Sequence, residues 1–154
     1  MVSIHIKGCT VEDADGLGNS NIRAYWEEPM WRILWPDNVT LDFMIQEMTK
    51  KLPMDLLKDA DNSRHEMAVD GETGAVMGYI RWIFPDGVLN GQQPDEIKWK
   101  TAQVPRVSEE KFKELEKLDN SAWCESKSLG ALGNRLGEAH MRIMSKQSYI
   151  GKSP

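Results

Sequence analysis

The stretch EMAVDGETGAVMGYIRWIF, residues 66–84, contains two runs of strand-forming residues separated by a short turn. The connecting residues 71–74, GETG, carry a glycine at each end, which is typical of a hairpin loop. We therefore predict two antiparallel strands over residues 66–70 and 75–84, the second of which ends at Pro85. Because the second strand is long and rich in large apolar side chains, at least one of its faces must be covered.

Before this hairpin, the sequence predicts a short strand and a first helix. Residues 3–7 alternate apolar and polar side chains around Ile4 and Ile6, which is the strand pattern. Thr10 follows as a candidate N-cap, and Asp13 stands three residues later, where a capping box places its acidic partner. We therefore expect a helix to begin after Thr10.

A tryptophan-rich segment and a second helix lie between the first helix and the hairpin. Pro29 and Pro36 enclose an irregular segment for which we expect one helical turn. Thr40 then caps a helix that we expect to end before Pro53. Its apolar positions follow helical spacing: Leu41, Met44, Ile45, Met48 and Leu52.

After the hairpin, the pattern becomes weaker. Residues 85–106 contain Gly, Gln, Pro and Asp without a sustained period, and we predict an extended loop. A helix begins at Ser108, a further helical pattern covers residues 129–144, and residues 148–150 predict the start of a strand.

Composition narrows the class of protein. The 154 residues fit one domain, residues 1–154, with a net charge of −5 and scattered basic residues, so we expect no nucleic-acid partner. No apolar run approaches the roughly 20 residues of a membrane span, and the N-terminus lacks a secretory pattern, so we expect no membrane partner and a cytoplasmic location. Cys9 and Cys124 are far apart and predict reduced thiols, and we assign no metal site.

Several stretches of the chain resemble a known family. Residues 4–7 and 9–15, IHIK and CTVEDAD, are similar to the opening strand and the helix start of GNAT-type N-acyltransferases. Residues 29–36 resemble the helix-linking loop of the fungal branch, and residues 140–149 resemble the helix that leads into the fourth strand. Residues 76–82, VMGYIRW, look like the third strand and are the most distinctive part. The resemblance implies the N-terminal part of a GNAT-like α/β fold, a layered α+β arrangement with about three antiparallel strands packed with helices.

The resemblance also implies what an active member needs. A Q/R-x-x-G-x-G/A loop presents backbone N–H groups to the pyrophosphate of acetyl-CoA at a helix N-terminus. Residues 134–139, NRLGEA, have similar spacing, but they begin with Asn and follow a polar, glycine-rich stretch, and Glu138 adds negative charge. We therefore expect a truncated domain that lacks the acetyl-CoA-binding half and holds no cofactor. Acetyl-CoA is the implied cofactor if the chain is active.

The candidate site residues lie in the tryptophan-rich segment. By resemblance, this segment walls the acceptor site, which predicts substrate contacts from Trp26, Glu27, Trp31 and Trp35. The alternative is that the three tryptophans fill the core between sheet and helices, and that Glu27 and Glu28 are solvated rather than basic groups for catalysis. The other candidates, His65 and His140, fit structural roles better than acid–base roles, and we assign no catalytic residue.

Three functions stay open from the sequence, including whether the chain is an enzyme. It is a degenerate or truncated N-acetyltransferase relative without independent acetyl transfer, an active acyltransferase completed by a partner or second chain, or a non-catalytic module that binds a small ligand or protein through the tryptophans. Removal of later strands would leave strand 75–84 as an open edge. We expect the two C-terminal helices, a second copy of the chain or a partner chain to cover it.

Overall fold

The computed structural model describes residues 3–32, 34–85, 96–123 and 151–152. In chain order it contains β1 (Ile4–Gly8), a 3-10 turn (Val11–Asp13), α1 (Ala14–Trp26), α2 (Pro29–Arg32), α3 (Leu41–Leu57), β2 (Ser63–Asp70), β3 (Val76–Ile83), α4 (Glu96–Thr101), α5 (Glu109–Ser121) and β4 (Gly151–Lys152). The strands form one antiparallel sheet in the order β1-β2-β3-β4. The predicted α/β class, with three main antiparallel strands and packed helices, is confirmed. None of the described helices is both long enough and apolar enough to cross a membrane.

Local sequence signals set most element boundaries. The Thr10 backbone N–H donates to the Asp13 carboxylate (2.8 Å), which confirms this half of the predicted capping box. In the hairpin turn, the Asp70 carboxylate accepts hydrogen bonds from the backbone N–H groups of Glu72 and Thr73. Gly74 has a φ of 72°, a left-handed conformation that favours glycine. The turn residues on which the hairpin prediction was based therefore also stabilise the hairpin in the structure.

Helices pack on one face of the sheet, whereas part of the other face is exposed. On one face, Met67 is buried in a core that includes Leu17 and Leu56 of the overlying helices. On the other face, Ile4 and Ile6 are 56% and 65% exposed. A Cβ placed on Gly78 would meet no atom within 4 Å, so this part of the face carries no second layer among the described residues.

Helix α3 does not end before Pro53, and that prediction is wrong. The helix continues to Leu57 with Pro53 in its interior. Proline removes one helical hydrogen bond at a cost of about 3 kcal/mol. Leu56 is only 1% exposed, and Met54 and Leu57 pack on the same core, so burial of about 1.5–3 kcal/mol for each large side chain offsets that cost.

The predicted loop over residues 85–106 is also wrong in part, since it contains α4. The Thr101 carbonyl at the end of α4 lies directly against the Cα of Gly8, where any side chain would clash. The neighbouring Ala102 carbonyl accepts the backbone N–H of His65 at 2.7 Å. This hydrogen bond gives the first residues of β2 a backbone partner. The strand begins at Ser63, three residues before the predicted position. The helix predicted over residues 129–144 and the strand start predicted at 148–150 lie outside the described residues.

Candidate functional site: an aromatic row beside a cleft

The tryptophan-rich segment forms one helical turn, as predicted. Pro29 begins α2, where a missing N–H costs nothing because the first turn has no acceptor for it. The Glu28 carbonyl accepts the N–H of Trp31 at 3.0 Å and that of Arg32 at 2.9 Å. The Arg32 carbonyl then accepts the N–H of Trp35 at 3.2 Å, which brings Trp35 to the same side as Trp31.

Five aromatic rings follow one another from this turn towards the end of α5, and we call them the aromatic row. The ring centroids of Trp26 and Trp31 are 5.9 Å apart, and those of Trp31 and Trp35 are 5.4 Å apart. Trp123 continues the row 6.3 Å from Trp35, and Phe43 ends it 5.3 Å from Trp123. These spacings and tilted planes are those of favourable aromatic contacts.

Within the described part of the chain, the tryptophans of the aromatic row belong to a cluster of helix and loop residues that contains no strand residue. Trp35 is 6% exposed and belongs to a buried cluster with Ile22, Val39 and Met44, which lie in α1, the loop before α3, and α3. The alternative that these tryptophans fill the core between sheet and helices is therefore wrong in its location. They do fill a core, and the half-buried Trp26 and Trp31 form its outer side.

Trp123 is fixed in the row by a buried carboxylate. The Trp123 backbone N–H donates to Glu47 Oε2 at 2.8 Å, and Lys50 Nζ lies 2.6 Å from Glu47 Oε1. The hydrogen bond from Lys50, followed by that from the Trp123 backbone, holds the pKa of Glu47 below its usual value although the group is buried. Glu47 thus stays ionised and ties the end of α5 to α3.

A cleft of about 520 Å³ lies at the Phe43 end of the row. Its walls are apolar where Val39, Phe43 and Trp123 line it, and polar where Asn38 and Thr40 do. Thr40 is also the cap of α3, because its Oγ1 accepts the Phe43 N–H at 3.2 Å. A pocket of this size with aromatic walls and a few polar groups suits a small organic ligand.

The structure brings together three of the four predicted site residues. Glu27 lies exposed just after α1 and is not part of the buried cluster, and Glu28 is likewise exposed. The guanidinium carbon of Arg32 lies 4.4 Å from the ring centroid of Trp26, so this face already holds a cation of the protein. The other end of the row, at the 37% exposed Phe43 and at Trp123, borders the cleft.

Sequence reasoning missed Phe43 and Trp123. Trp123 follows a polar helix and stands 76 residues from Glu47, so no local pattern relates it to the tryptophan-rich segment. Phe43 fits the period of α3 poorly, and its 37% exposure marks it as a residue outside the core stripe. Only the packing of α5 on α3 shows that both residues belong to the site.

Two buried ionisable side chains, His65 and Cys9, lie beside the sheet. His65, 1% exposed, has its Nδ1 2.7 Å from the Tyr79 hydroxyl. Burial, and then the charges of Arg81 and Arg64, lower the pKa of His65 to about 4. Burial chiefly raises the pKa of the Cys9 thiol to about 12, so the thiol is protonated and unreactive at neutral pH. This environment suits the structural role predicted for His65, while His140 and Cys124 lie outside the described residues.

No three His, Cys, Asp or Glu side chains gather as a possible metal site in the part of the chain that the structure describes. Comparisons of the chain with protein-family models, with curated proteins and with solved structures found no match. The relation to GNAT-type N-acyltransferases is therefore a hypothesis that depends on the residues of this chain alone.

Proposed function

We propose that this protein is a degenerate relative of the GNAT-type N-acyltransferases that binds a small apolar or cationic ligand and transfers no acetyl group by itself. The observation that carries the proposal is the aromatic row, whose Phe43 end opens into the cleft. Aromatic faces attract both apolar groups and organic cations, the latter by about 0.5–2 kcal/mol per contact. The ligand class thus follows from the lining.

One further feature supports the acyltransferase relationship, and another supports the absence of acetyl-CoA binding by this chain alone. The order of β1, helices, β2 and β3 is the order that the sequence resemblance implies for the N-terminal part of the family fold. The glycine and alanine pattern of residues 134–139 follows polar residues instead of an apolar strand, which disfavours a pyrophosphate-binding loop there. We therefore propose that the chain binds no acetyl-CoA by itself.

Isothermal titration calorimetry tests both parts of this proposal. We expect binding of 2-phenylethylamine or of its neutral analogue 2-phenylethanol, and no heat with acetyl-CoA. Phe43→Ala removes one wall of the cleft and is expected to weaken binding about tenfold, whereas Phe112→Ala is a matched control. Phe112 is 40% exposed against 37% for Phe43, but it does not line the cleft.

The result that contradicts the binding proposal is equal affinity of the wild type and Phe43→Ala, or no binding of either phenyl compound. Micromolar binding of acetyl-CoA contradicts the proposal that the chain alone cannot hold it. The two parts of the proposal are thus tested by separate titrations of the same protein.

A second candidate function is an active acetyl-CoA-dependent acyltransferase that a partner or second copy completes. Within the described ranges, β4 pairs only with Trp82 and Ile83, so the edge of β3 over residues 76–81 has no further strand beside it. Free edges of this kind pair with other chains. Acetyl-CoA binding that appears only at protein concentrations where sedimentation shows a dimer supports this candidate, and a monomer at all concentrations contradicts the second-copy form.

We propose the cytoplasm as the compartment. Cys9 is a free, buried thiol, which is the usual state of cysteine in reducing compartments.

A further inference from the structure

A second cleft, separate from the aromatic row, lies between α1, α3 and α5 and has a volume of about 690 Å³. Its floor is apolar because the buried residues Val11, Ala14 and Leu115 line it. Leu118 on α5 also lines it and is 39% exposed. The cleft therefore presents apolar surface to the solvent that no described residue covers.

The cleft is as long as about three turns of helix. Asp42 and Pro53 both line it from α3, and a rise of about 1.5 Å per residue places them about 16 Å apart along the helix axis. Helices α1 and α3 run in opposite directions, because Gly18 contacts Thr49 while Ile22 packs with Met44. The start of α1 thus lies beside Pro53, at one end of the cleft.

Charge is distributed unevenly along the cleft. At the Pro53 end, Glu12 and Asp15 are exposed, and no cation among the described residues forms an ion pair with either. Lys50 also lines the cleft, but its ammonium is paired with Glu47. At the other end, Asp42 and Arg23 balance one another in charge. The Pro53 end is therefore negative.

We propose that this cleft binds an amphipathic helix of a partner protein, with its apolar stripe on the floor and a Lys or Arg over Glu12 and Asp15. A helix presents apolar side chains once per turn, which suits an apolar floor three turns long. The unpaired carboxylates of Glu12 and Asp15 select a basic residue at one end of that helix. This interaction is independent of the ligand proposed for the aromatic row.

Fluorescence anisotropy with a designed peptide tests the proposal. The probe is a fluorescein-labelled amphipathic helix about three turns long, with a leucine stripe and lysines at one end. A second probe carries glutamates in place of the lysines. We expect the lysine peptide to bind the full chain and the glutamate peptide to bind at least about tenfold more weakly.

Matched variants separate the cleft from general attraction to an acidic protein. Asp15→Lys is expected to weaken the lysine peptide about tenfold, whereas Glu72→Lys makes the same charge change in the hairpin turn and leaves binding unchanged. Leu118→Glu is expected to remove binding, whereas Phe112→Glu, on the same helix outside the cleft lining, retains it. All four positions are exposed, so the variants are expected to fold, and circular dichroism checks this.

Several outcomes overturn the proposal. Equal binding of both peptides, or equal losses in Asp15→Lys and Glu72→Lys, shows unspecific attraction. Binding of 2-phenylethylamine that Leu118→Glu removes and Phe43→Ala retains, without binding of the lysine peptide, identifies this cleft as a small-molecule site. Self-association that Leu118→Glu removes identifies a second copy of the chain as the occupant.

Discussion

The two buried cores of this protein are built from different side chains and differ in how far they are enclosed. The sheet core contains aliphatic residues and methionine, such as Leu17, Leu56 and Met67, and these three are at most 2% exposed. The core between the helices contains Trp35 with half-buried tryptophans around it, and it borders a cleft. The comparison shows that the centre of the sheet core is closed, although Val11 and Leu115 at its edge line the second cleft, whereas the core between the helices is open at one end, beside Phe43 and Trp123.

The largest expected effect is a loss of stability on truncation of Leu56 in the sheet core. Leu56→Ala creates a cavity in the closed core and is expected to lower the free energy of unfolding by about 2–5 kcal/mol, as measured by urea denaturation. Binding of 2-phenylethylamine by the folded fraction is expected to stay unchanged, because Leu56 belongs to the other core. If the Leu56→Ala variant is folded at the temperature of the titration and still loses ligand affinity, the two cores are not independent.

Acid is expected to weaken the closed core through His65. The unfolded chain takes up a proton on this histidine near pH 6.5, but the folded protein does so only near pH 4. The unfolded state binds more protons between these values, so the free energy of unfolding falls by a few kcal/mol as the pH drops from about 6.5 to 4. Urea denaturation at several pH values measures this slope.

The control for this prediction is a second histidine. His65→Gln is expected to flatten the slope over this pH range, whereas His5→Gln, at an exposed position on β1, is expected to keep it. An unchanged slope in His65→Gln contradicts the assignment and places the titrating group elsewhere.

A smaller effect is expected at the link between α5 and the open core. Glu47→Gln keeps an oxygen that can accept the Trp123 N–H but removes the charge that pairs with Lys50. We expect a loss of about 1–3 kcal/mol at neutral pH, with weaker ligand binding because Trp123 becomes less well placed. Thermal unfolding and calorimetry measure the two effects.

The control for Glu47→Gln is the same substitution in an exposed ion pair on α5. Glu109→Gln breaks the exposed ion pair in which Lys113 Nζ lies 2.6 Å from Glu109 Oε1. An effect below about 0.5 kcal/mol is expected there because water screens both charges. Equal losses in Glu47→Gln and Glu109→Gln contradict a special role of the buried carboxylate.

Local signals were enough to predict much of the fold. Thr40 and Ser108 cap their helices with side-chain oxygens, as their positions in the sequence predicted. The turn over residues 71–74 joins the predicted strands. Such features depend on atoms only a few residues apart, so a single sequence contains the information that determines them.

The candidate site was predicted only in part because half of it depends on distant contacts. Trp31 and Trp35 meet across one helical turn and were recognised together, but Trp123 joins them through Glu47 on another helix. The continuation of α3 beyond Pro53 has the same cause, since burial of Leu56 depends on the sheet. Glu27 was predicted from its neighbours in sequence, yet the chain leaves it exposed.

The most direct test of the open core follows the indole N–H signals of the tryptophans by NMR during a titration with 2-phenylethylamine. Trp123 lines the cleft, whereas Trp82 packs on Trp99, away from the aromatic row. We predict saturable shifts of the Trp123 signal and smaller shifts of Trp35, with those of Trp82 and Trp99 unmoved. Shifts of Trp82 and Trp99 without any change at Trp123, or no shifts at all, contradict the account.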